Sequence, residues 1–355
     1  MRIGILCEAT ARPGDDLAGL YQEVMELIEA AEVSGFDFFG CSEQHFWPTV
    51  DGIPSIATIA TPEIFYAMGI ARTSRIGFRS SVATLSYHHP LILASRMATL
   101  DIVSGGRFEF GTGRGNSTLA ADAFQIPVTE MHERWRECLE IILAAWSSGE
   151  EFSWQGKHYD IPARPISVRP LQQPYPPIYY AAFSPDSFKL AGEMGLGLMT
   201  ATAGVTFDKL QGRVGIYRDA IAEAKAAGTP TREAVSLTFL GHCAPSNEDA
   251  AAEGVDAFQG YLISATAVYQ EMVGRLRPDV DFRNLRDRYT FDYMNDNMMI
   301  VCGDPAAWLE RLKVFADAGI EEFIVNFVGV PHDAILRAVK LLGEEVLPTV
   351  HSWNP

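Results

Sequence analysis

The run Cys41-Ser42-Glu43-Gln44-His45-Phe46 sets a carboxylate, an amide, an imidazole and an aromatic ring side by side, directly after an apolar stretch. An imidazole changes charge near neutral pH, and an adjacent carboxylate can orient it and stabilise its protonated form. Glu43, Gln44 and His45 therefore either cap a strand end or line a site. A lone histidine is more often a satisfied core residue, but its place after a strand and beside Glu43 favours the site. Gln44 can hydrogen-bond but cannot titrate. A second candidate is GTGRGN at 111–116. Its alternating glycines allow close backbone approach to a ligand, and Arg114 offers a planar donor fork suited to phosphate. The pattern is GxGxG rather than GxGxxG, and it equally fits a strand exit whose arginine pairs with a carboxylate. The third is Phe183-Ser184-Pro185-Asp186-Ser187-Phe188, with two hydroxyls three residues apart at a helix start. Ser184 alone is an ordinary N-cap with Pro185 at the first helical position. Taken with Arg114 on the preceding strand, Ser184 and Ser187 converge on an anion at a helix N-terminus, and a phosphate fits. His88 and His89 precede Pro90 and read as helix-entry residues without a functional role.

These residues need a frame. Apolar runs at 2–8, 36–42, 75–85, 105–115, 177–183, 195–201, 234–244 and 321–329 predict eight strands. Amphipathic stretches predict helices over 17–34, 61–72, 90–103, 130–148, 185–194, 207–227, 247–274, 305–318 and 331–346. Alternation of this kind signals a parallel sheet with crossover helices. Eight units, and CEATARPG rather than a glycine-rich turn after the first strand, favour a closed (β/α)8 TIM barrel over an open sheet, here as one domain spanning 1–355. The segment 149–177 reads as a proline- and aromatic-rich excursion, and 275–297 as a polar insertion without clear period. The working face of such a barrel is formed by the C-terminal ends of its strands. That rim collects Glu43, Gln44, His45, residues 80–84, Arg114, Ser184, Ser187 and His242.

Composition narrows the function. A net charge of −17 argues against a nucleic-acid surface, which needs a basic stripe. The five cysteines are far apart with no CxxC pair, so reduced buried thiols and a cytoplasmic location are expected, with no metal site. The N-terminal apolar run is too short for a signal peptide, and no stretch approaches a membrane span.

Four stretches, SGFDFFGCSEQHF, HHPLILASRMATLDIVSGGRFEFGTGRG, PIYYAAFSPDSFKLAGEMGL and CGDPAAWLERL, together make the chain resemble the bacterial luciferase-like flavin monooxygenases. The resemblance implies reduced FMN across the barrel mouth, its phosphate held by Arg114, Ser184 and Ser187, with Gly113 and Phe183 beside it. It also implies a non-prolyl cis peptide under the flavin within Ser80–Ser81–Val82. The expected activity is that of a two-component monooxygenase. A separate flavin reductase supplies reduced FMN, dioxygen is the oxidant, and one oxygen atom enters a small organic substrate. His45, with Gln44, would act on the reacting groups, Phe46 and Trp47 would wall the site, and 275–297 would form a mobile lid carrying Arg283, Arg286 and Arg288. A homodimer through helices near the early strands is implied as well. Light-emitting members read EHHF where this chain reads EQHF, so Gln44 replaces their titrating histidine and light emission is not expected. Two alternatives stand beside this reading: a deazaflavin-dependent oxidoreductase of the same fold, and a non-catalytic flavin-binding partner subunit.

Overall fold

Eight parallel strands close into a ring: β1 Arg2–Cys7, β2 Phe38–Cys41, β3 Gly77–Arg79, β4 Phe108–Gly113, β5 Ile178–Ala181, β6 Gly197–Ala201, β7 Val235–Cys243 and β8 Glu322–Asn326. The computed structural model describes residues 1–11, 15–46, 56–203, 205–276 and 289–353, apart from the side chains of 56, 57 and 267–276. Each strand pairs with its successor, as in Gly4↔Phe38, Phe78↔Phe108, Ile178↔Phe110 and Leu198↔Val235. Arg2↔Glu322 closes the barrel between β1 and β8. Strands buried on both faces need apolar side chains throughout, which is why FFGC of β2 and EFIVN of β8 are buried at every position. The expected (β/α)8 barrel is therefore the observed fold.

Helices follow the strands and cover the barrel. The first, Leu17–Ser34, starts on an Asp16 side-chain cap and ends at Gly35, whose φ of 92° suits glycine. Pro62–Arg72 and Pro90–Val103 follow β2 and β3. Met131–Ser147 carries Trp135, Leu139 and Ile142 into the core. Its buried Glu137 accepts hydrogen bonds from the backbone of His158 (2.9 Å) and Tyr159 (3.2 Å), docking the hairpin Phe152–Gln155/Asp160–Arg164 of the 149–177 segment.

Two strand expectations change. The run 75–85 is not one strand. After Arg79 it breaks, and Ala83–Thr84 resumes pairing with Thr112–Gly113 of β4. Phe78 pairs with Phe108 but Ala83 with Thr112, so this strand has one residue more than its neighbour between those points, a bulge. Glycines on both flanks admit it. A Cβ on Gly111 would sit 1.9 Å from the Ser80 carbonyl oxygen, and one on Gly40 2.6 Å from that of Arg79. The second change is a short strand, Ile300–Gly303, inside the stretch after β7 that was read without one. β7 has nine residues and outruns β8. Its first half pairs with β8 through Leu240, and its last four residues, 240–243, take Ile300–Gly303 as partner. The helix Asn247–Leu276 packs on this extension, and a helix at Phe291–Asp296 lies in the expected lid segment. Residues 277–288, with Arg283, Arg286 and Arg288, fall outside the described residues, as does Trp47.

The floor of the barrel is ionic. Arg79, fully buried, contacts Glu109 at 2.5 Å and Glu322 at 2.8 Å. Arg2 reaches the same two carboxylates at 2.9 and 2.8 Å. The guanidinium of Arg79 lies between the rings of Phe38 and Tyr179, 4.0 and 3.8 Å from their centres.

Candidate active site

At the exit of β2, Glu43 is almost fully buried and binds two imidazoles. His45 Nε2 and His88 Nε2 both lie 2.8 Å from Glu43 Oε1, and the Thr84 backbone N–H donates to Oε2 at 2.8 Å. Burial works against the carboxylate charge, but hydrogen bonds from His45 and His88, the charge of His88 and the Thr84 N–H hold its pKa below the ordinary value. Burial likewise opposes the charged form of His88, and Glu43, with Glu63 in support, outweighs it and raises that pKa. The place of His45 beside Glu43 at the exit of β2 was expected, and the structure adds the hydrogen bond between them. His88 was not: the reading of it as a plain helix-entry residue is corrected. The missed signal was position, since 88 follows the resumed strand Ala83–Thr84 by only four residues.

Aromatic rings surround His45. Phe124 meets it edge-on at 5.0 Å, Tyr87 at 6.4 Å, and Phe46 lies at 6.5 Å. Phe46 and Phe124 are themselves exposed. The Gln44 backbone N–H donates to Ile59 O at 2.9 Å, and its side chain is half-buried.

The bulge after β3 carries the one non-prolyl cis peptide among the described residues, Ser81–Val82. Ser80 Oγ donates to Gly111 O at 2.8 Å, and the Ser81 N–H to Cys41 O at 3.2 Å, fixing the bulge between β2 and β4. Val82 faces Gly113: a Cβ there would fall 2.6 Å from Val82 Cγ2 and 3.8 Å from Ala181 of β5. The exits of β3, β4 and β5 thus meet at Val82, Gly113 and Ala181.

Arg114 and Ser184 continue from these neighbouring strand ends. Among the described residues no acceptor lies within hydrogen-bond reach of the Arg114 guanidinium, and the same holds for Arg136 on Met131–Ser147. His132, one turn before Arg136, has its pKa lowered by partial burial and by the charges of Arg114 and Arg136. Three cationic or ionisable groups therefore gather beside the β4 exit; Glu133, which acts on His132 in the opposite sense, is itself bound to Lys157. Arg136 and His132 were not found from sequence, since only the packing of the helix on β4 and β5 reveals them. Ser184 and Ser187 sit at the N-terminus of Pro185–Glu193 as a reciprocal capping box. Ser187 N donates to Ser184 Oγ at 3.2 Å and Ser184 N to Ser187 Oγ at 2.9 Å. Phe183 is exposed; its N–H donates to Ser187 Oγ at 3.1 Å, and its carbonyl accepts from Arg213. The plain capping reading of the serines is thus realised, and their exposure leaves the helix end open to an anion as well.

His242 does not join the site. It is fully buried, with Nε2 2.6 Å from Glu253 of Asn247–Leu276, and Glu253 is also bound by Arg337 at 2.8 Å. The β7 extension turns it into the helix layer. A different carboxyl does reach the mouth: Glu8, at the end of β1, accepts from Asn326 Nδ2 at 2.8 Å. Burial pushes its pKa up, against hydrogen bonding from Asn326 and Tyr261.

The family model of luciferase-like monooxygenases matches residues 1–331. The chain belongs to that family. Among curated relatives, this luciferase-like chain is 27% identical to limonene 1,2-monooxygenase of Rhodococcus erythropolis over 91% of its length and 80% of the relative's. It is 24% identical to the oxygenase component of a flavin-dependent trigonelline monooxygenase from Acinetobacter baylyi, over 86% and 82%. It is also 26% identical to an F420-dependent glucose-6-phosphate dehydrogenase of Microbacterium testaceum, over 92% of both chains. Solved structures share the fold. Monooxygenase RslO1 of Streptomyces bottropensis superimposes with a TM-score of 0.82 at 24% identity, covering 98% and 99% of the two chains. The oxygenating constituent of 3,6-diketocamphane monooxygenase from Pseudomonas putida, solved with FMN, gives 0.79 at 22%, covering 98% of each. Among the described residues no helix is long and apolar enough to cross a membrane.

Proposed function

We propose that the protein is the oxygenase component of a two-component monooxygenase that takes reduced FMN from a separate reductase. The observation that carries this reading is the pair of unanswered guanidiniums, Arg114 and Arg136, beside His132 and the open N-terminus of Pro185–Glu193. In a chain of net charge −17, a half-buried guanidinium without a partner, as at Arg114, is costly unless a ligand supplies the anion, and the exposed Arg136 adds positive potential beside it. A phosphate held by Arg114, Ser184 and Ser187 would lay the isoalloxazine toward Val82, Gly113 and the Ser80–Ser81 bulge, with Phe183 at its edge. When bound, reduced FMN supplies the reaction with dioxygen. The chain supplies position, exclusion of water and proton handling at Glu43, His45 and His88.

The exposed rings of Phe46 and Phe124 around His45 suit a small organic substrate with apolar surface. Gln44, which cannot titrate, serves as a hydrogen-bonding group. Ile64 and Met68 on Pro62–Arg72 and Ile92 on Pro90–Val103 are exposed apolar side chains. Arg96 and Glu63 tie these two helices together at 3.1 Å. Such a face supports a homodimer formed through the helices after β2 and β3. Five unpaired cysteines accord with a reducing cytoplasm.

The relative that uses F420 favours a second reading, hydride transfer with a deazaflavin. Anaerobic titration with reduced FMN and with the reduced deazaflavin separates the two. Tight FMN binding, weakened roughly 10- to 100-fold in Arg114→Gln by loss of a charge-assisted contact, supports the monooxygenase. Deazaflavin binding without FMN binding overturns it.

A further inference from the structure

We propose that His88 is a positioning residue that sets the proton state of His45 through the one carboxylate they share. The inference rests on the reading of His45 as the acid–base group of the site, but the coupling itself is a property of the protein without cofactor.

The geometry is closed on the Glu43 side. Oε1 takes both imidazoles at 2.8 Å, and Oε2 takes the Thr84 N–H at 2.8 Å. A carboxylate held by three fixed donors cannot turn to favour one ring. Because Glu43 is an acceptor, each Nε2 must carry hydrogen. A neutral imidazole has only one N–H, so both neutral rings are the Nε2–H tautomer and both Nδ1 atoms are left as the positions that gain or lose a proton.

One negative charge then serves two rings. The first proton taken up gives a neutral arrangement, one imidazolium against one carboxylate. A second would place two cations within about 6 Å of each other with a single counter-charge between them. The pair therefore titrates in two separated steps, and these belong to the pair rather than to either ring. The groups facing His88 are Glu43, Glu63 on Pro62–Arg72 and Arg96 on Pro90–Val103, with Tyr159 OH bonded to its carbonyl at 3.2 Å. Among the described residues, those facing His45 are Glu43, Tyr87, Phe124 and Phe46. Glu43 and Glu63 act on His88 against Arg96, while Glu43 alone acts on His45, whose other neighbours among the described residues are aromatic. The first proton accordingly rests on His88. The raised pKa of His88 agrees with that assignment.

The consequence is functional. With His88 charged, Glu43 is already neutralised, and the carboxylate no longer favours a second proton at His45 Nδ1. A proton leaving a reacting group can be taken at Nδ1 while Nε2–H stays on Glu43. Removing His88 frees Glu43 for His45 alone, so His45 becomes more basic.

Long-range proton–nitrogen NMR of the 15N-labelled, cofactor-free chain tests this, with the eight histidines assigned by single substitution. The expected result is Nε2–H tautomers for His45 and His88 in the native protein. In His88→Gln the midpoint of His45 should rise by about one pH unit, and in Glu43→Gln the midpoint of His88 should fall. The ascending limb of the pH–rate profile of His88→Gln should move to higher pH, with reduced-FMN affinity changed by less than about twofold. An Nδ1–H tautomer at either ring, or a His45 titration indifferent to His88→Gln, overturns the proposal. If His88→Gln does not fold, the native tautomers decide it. A chain that binds no FMN but shows coupled titration refutes the functional reading alone; one that binds FMN without coupling refutes only this inference.

Discussion

At the N-terminal end of the barrel Arg79 meets Glu109 and Glu322, Arg2 meets the same two, and Tyr179 OH donates to Glu322 at 3.1 Å. At the C-terminal end Arg114 and Arg136 meet no acceptor among the described residues, and Glu43 is shared by two histidines. Both ends hold guanidiniums and carboxylates, yet only at the floor, where Arg232 adds a third guanidinium on Tyr179 and Glu322, does each guanidinium have a partner. A closed ion network in low dielectric has nothing left to offer a ligand, and its value lies in the cost of opening it. An unbalanced set keeps donors and a net field free for a partner. On the proposed reading, the two ends separate a structural from a functional use of charge.

Breaking the floor should have the largest effect. Arg79→Met takes from Glu109 and Glu322 their fully buried partner and leaves them, among the described residues, only the more exposed Arg2 and, for Glu322, Arg232; loss of a buried partner of this kind costs about 3–5 kcal/mol. Urea denaturation should show that loss in full. A change below about 1 kcal/mol would mean that water or relaxation compensates the carboxylates. The same network predicts an acid response. Burial opposes the charge of Glu322, but Arg79 and Arg2 hold its pKa down to about 2, below the usual ~4.3 of an unfolded chain. Its contribution to stability is thus complete above that unfolded value and is lost as the pH falls through about 2. Glu322→Gln should flatten the stability–pH curve between about pH 4 and 2, measured by thermal melts.

The rim should respond in the opposite way. Arg114→Gln removes a charge that no described residue uses, so stability should stay within about 0.5 kcal/mol of the native chain while reduced-FMN affinity falls. A destabilised Arg114→Gln would place that guanidinium with the floor rather than with a ligand. Gly111→Ala lies between the two cases. The new methyl would overlap the Ser80 carbonyl oxygen at 1.9 Å, and backbone must move to admit it. A cost of about 1–3 kcal/mol is expected, with weaker FMN binding because the displaced bulge carries Ser81 and Val82.

The barrel was legible because its signal is local. Strands such as FFGC and IYYA are short, apolar and bounded by helix-forming stretches, and each can be recognised without its neighbours. Ile300–Gly303 was missed because its reason for existing is not local: β7 outruns β8 and needs a partner. The floor network was invisible for the same reason. Arg79, Glu109 and Glu322 each look like one charge in an apolar run, and only register brings them together. The positions of Arg114, Ser184 and Ser187 at the working end were legible because each follows a recognisable strand. His88 was not, because the bulge after Arg79 delays the end of that strand and hides how near His88 lies to the rim.

The smallest effect gives the sharpest division between structural and functional use. Ser184 caps Pro185–Glu193, accepting from the Ser187 N–H at 3.2 Å, and Ser187 returns the bond to the Ser184 N–H at 2.9 Å. A capping serine contributes about 1 kcal/mol, and Ser184→Ala should lose that amount with no ligand present. If the hydroxyl only caps, reduced FMN should stabilise the variant and the native chain equally, since ligand stabilisation depends on affinity for the folded state alone. If it also holds the phosphate, the gap between the two melting temperatures should widen as FMN is added. Ser184→Asp keeps the cap but brings a negative charge to the same point, so it should restore the ligand-free stability and weaken FMN binding further. A Ser184→Asp variant that binds FMN like the native chain would confine this hydroxyl to capping and leave Arg114 and its cationic neighbours to hold the anion without it.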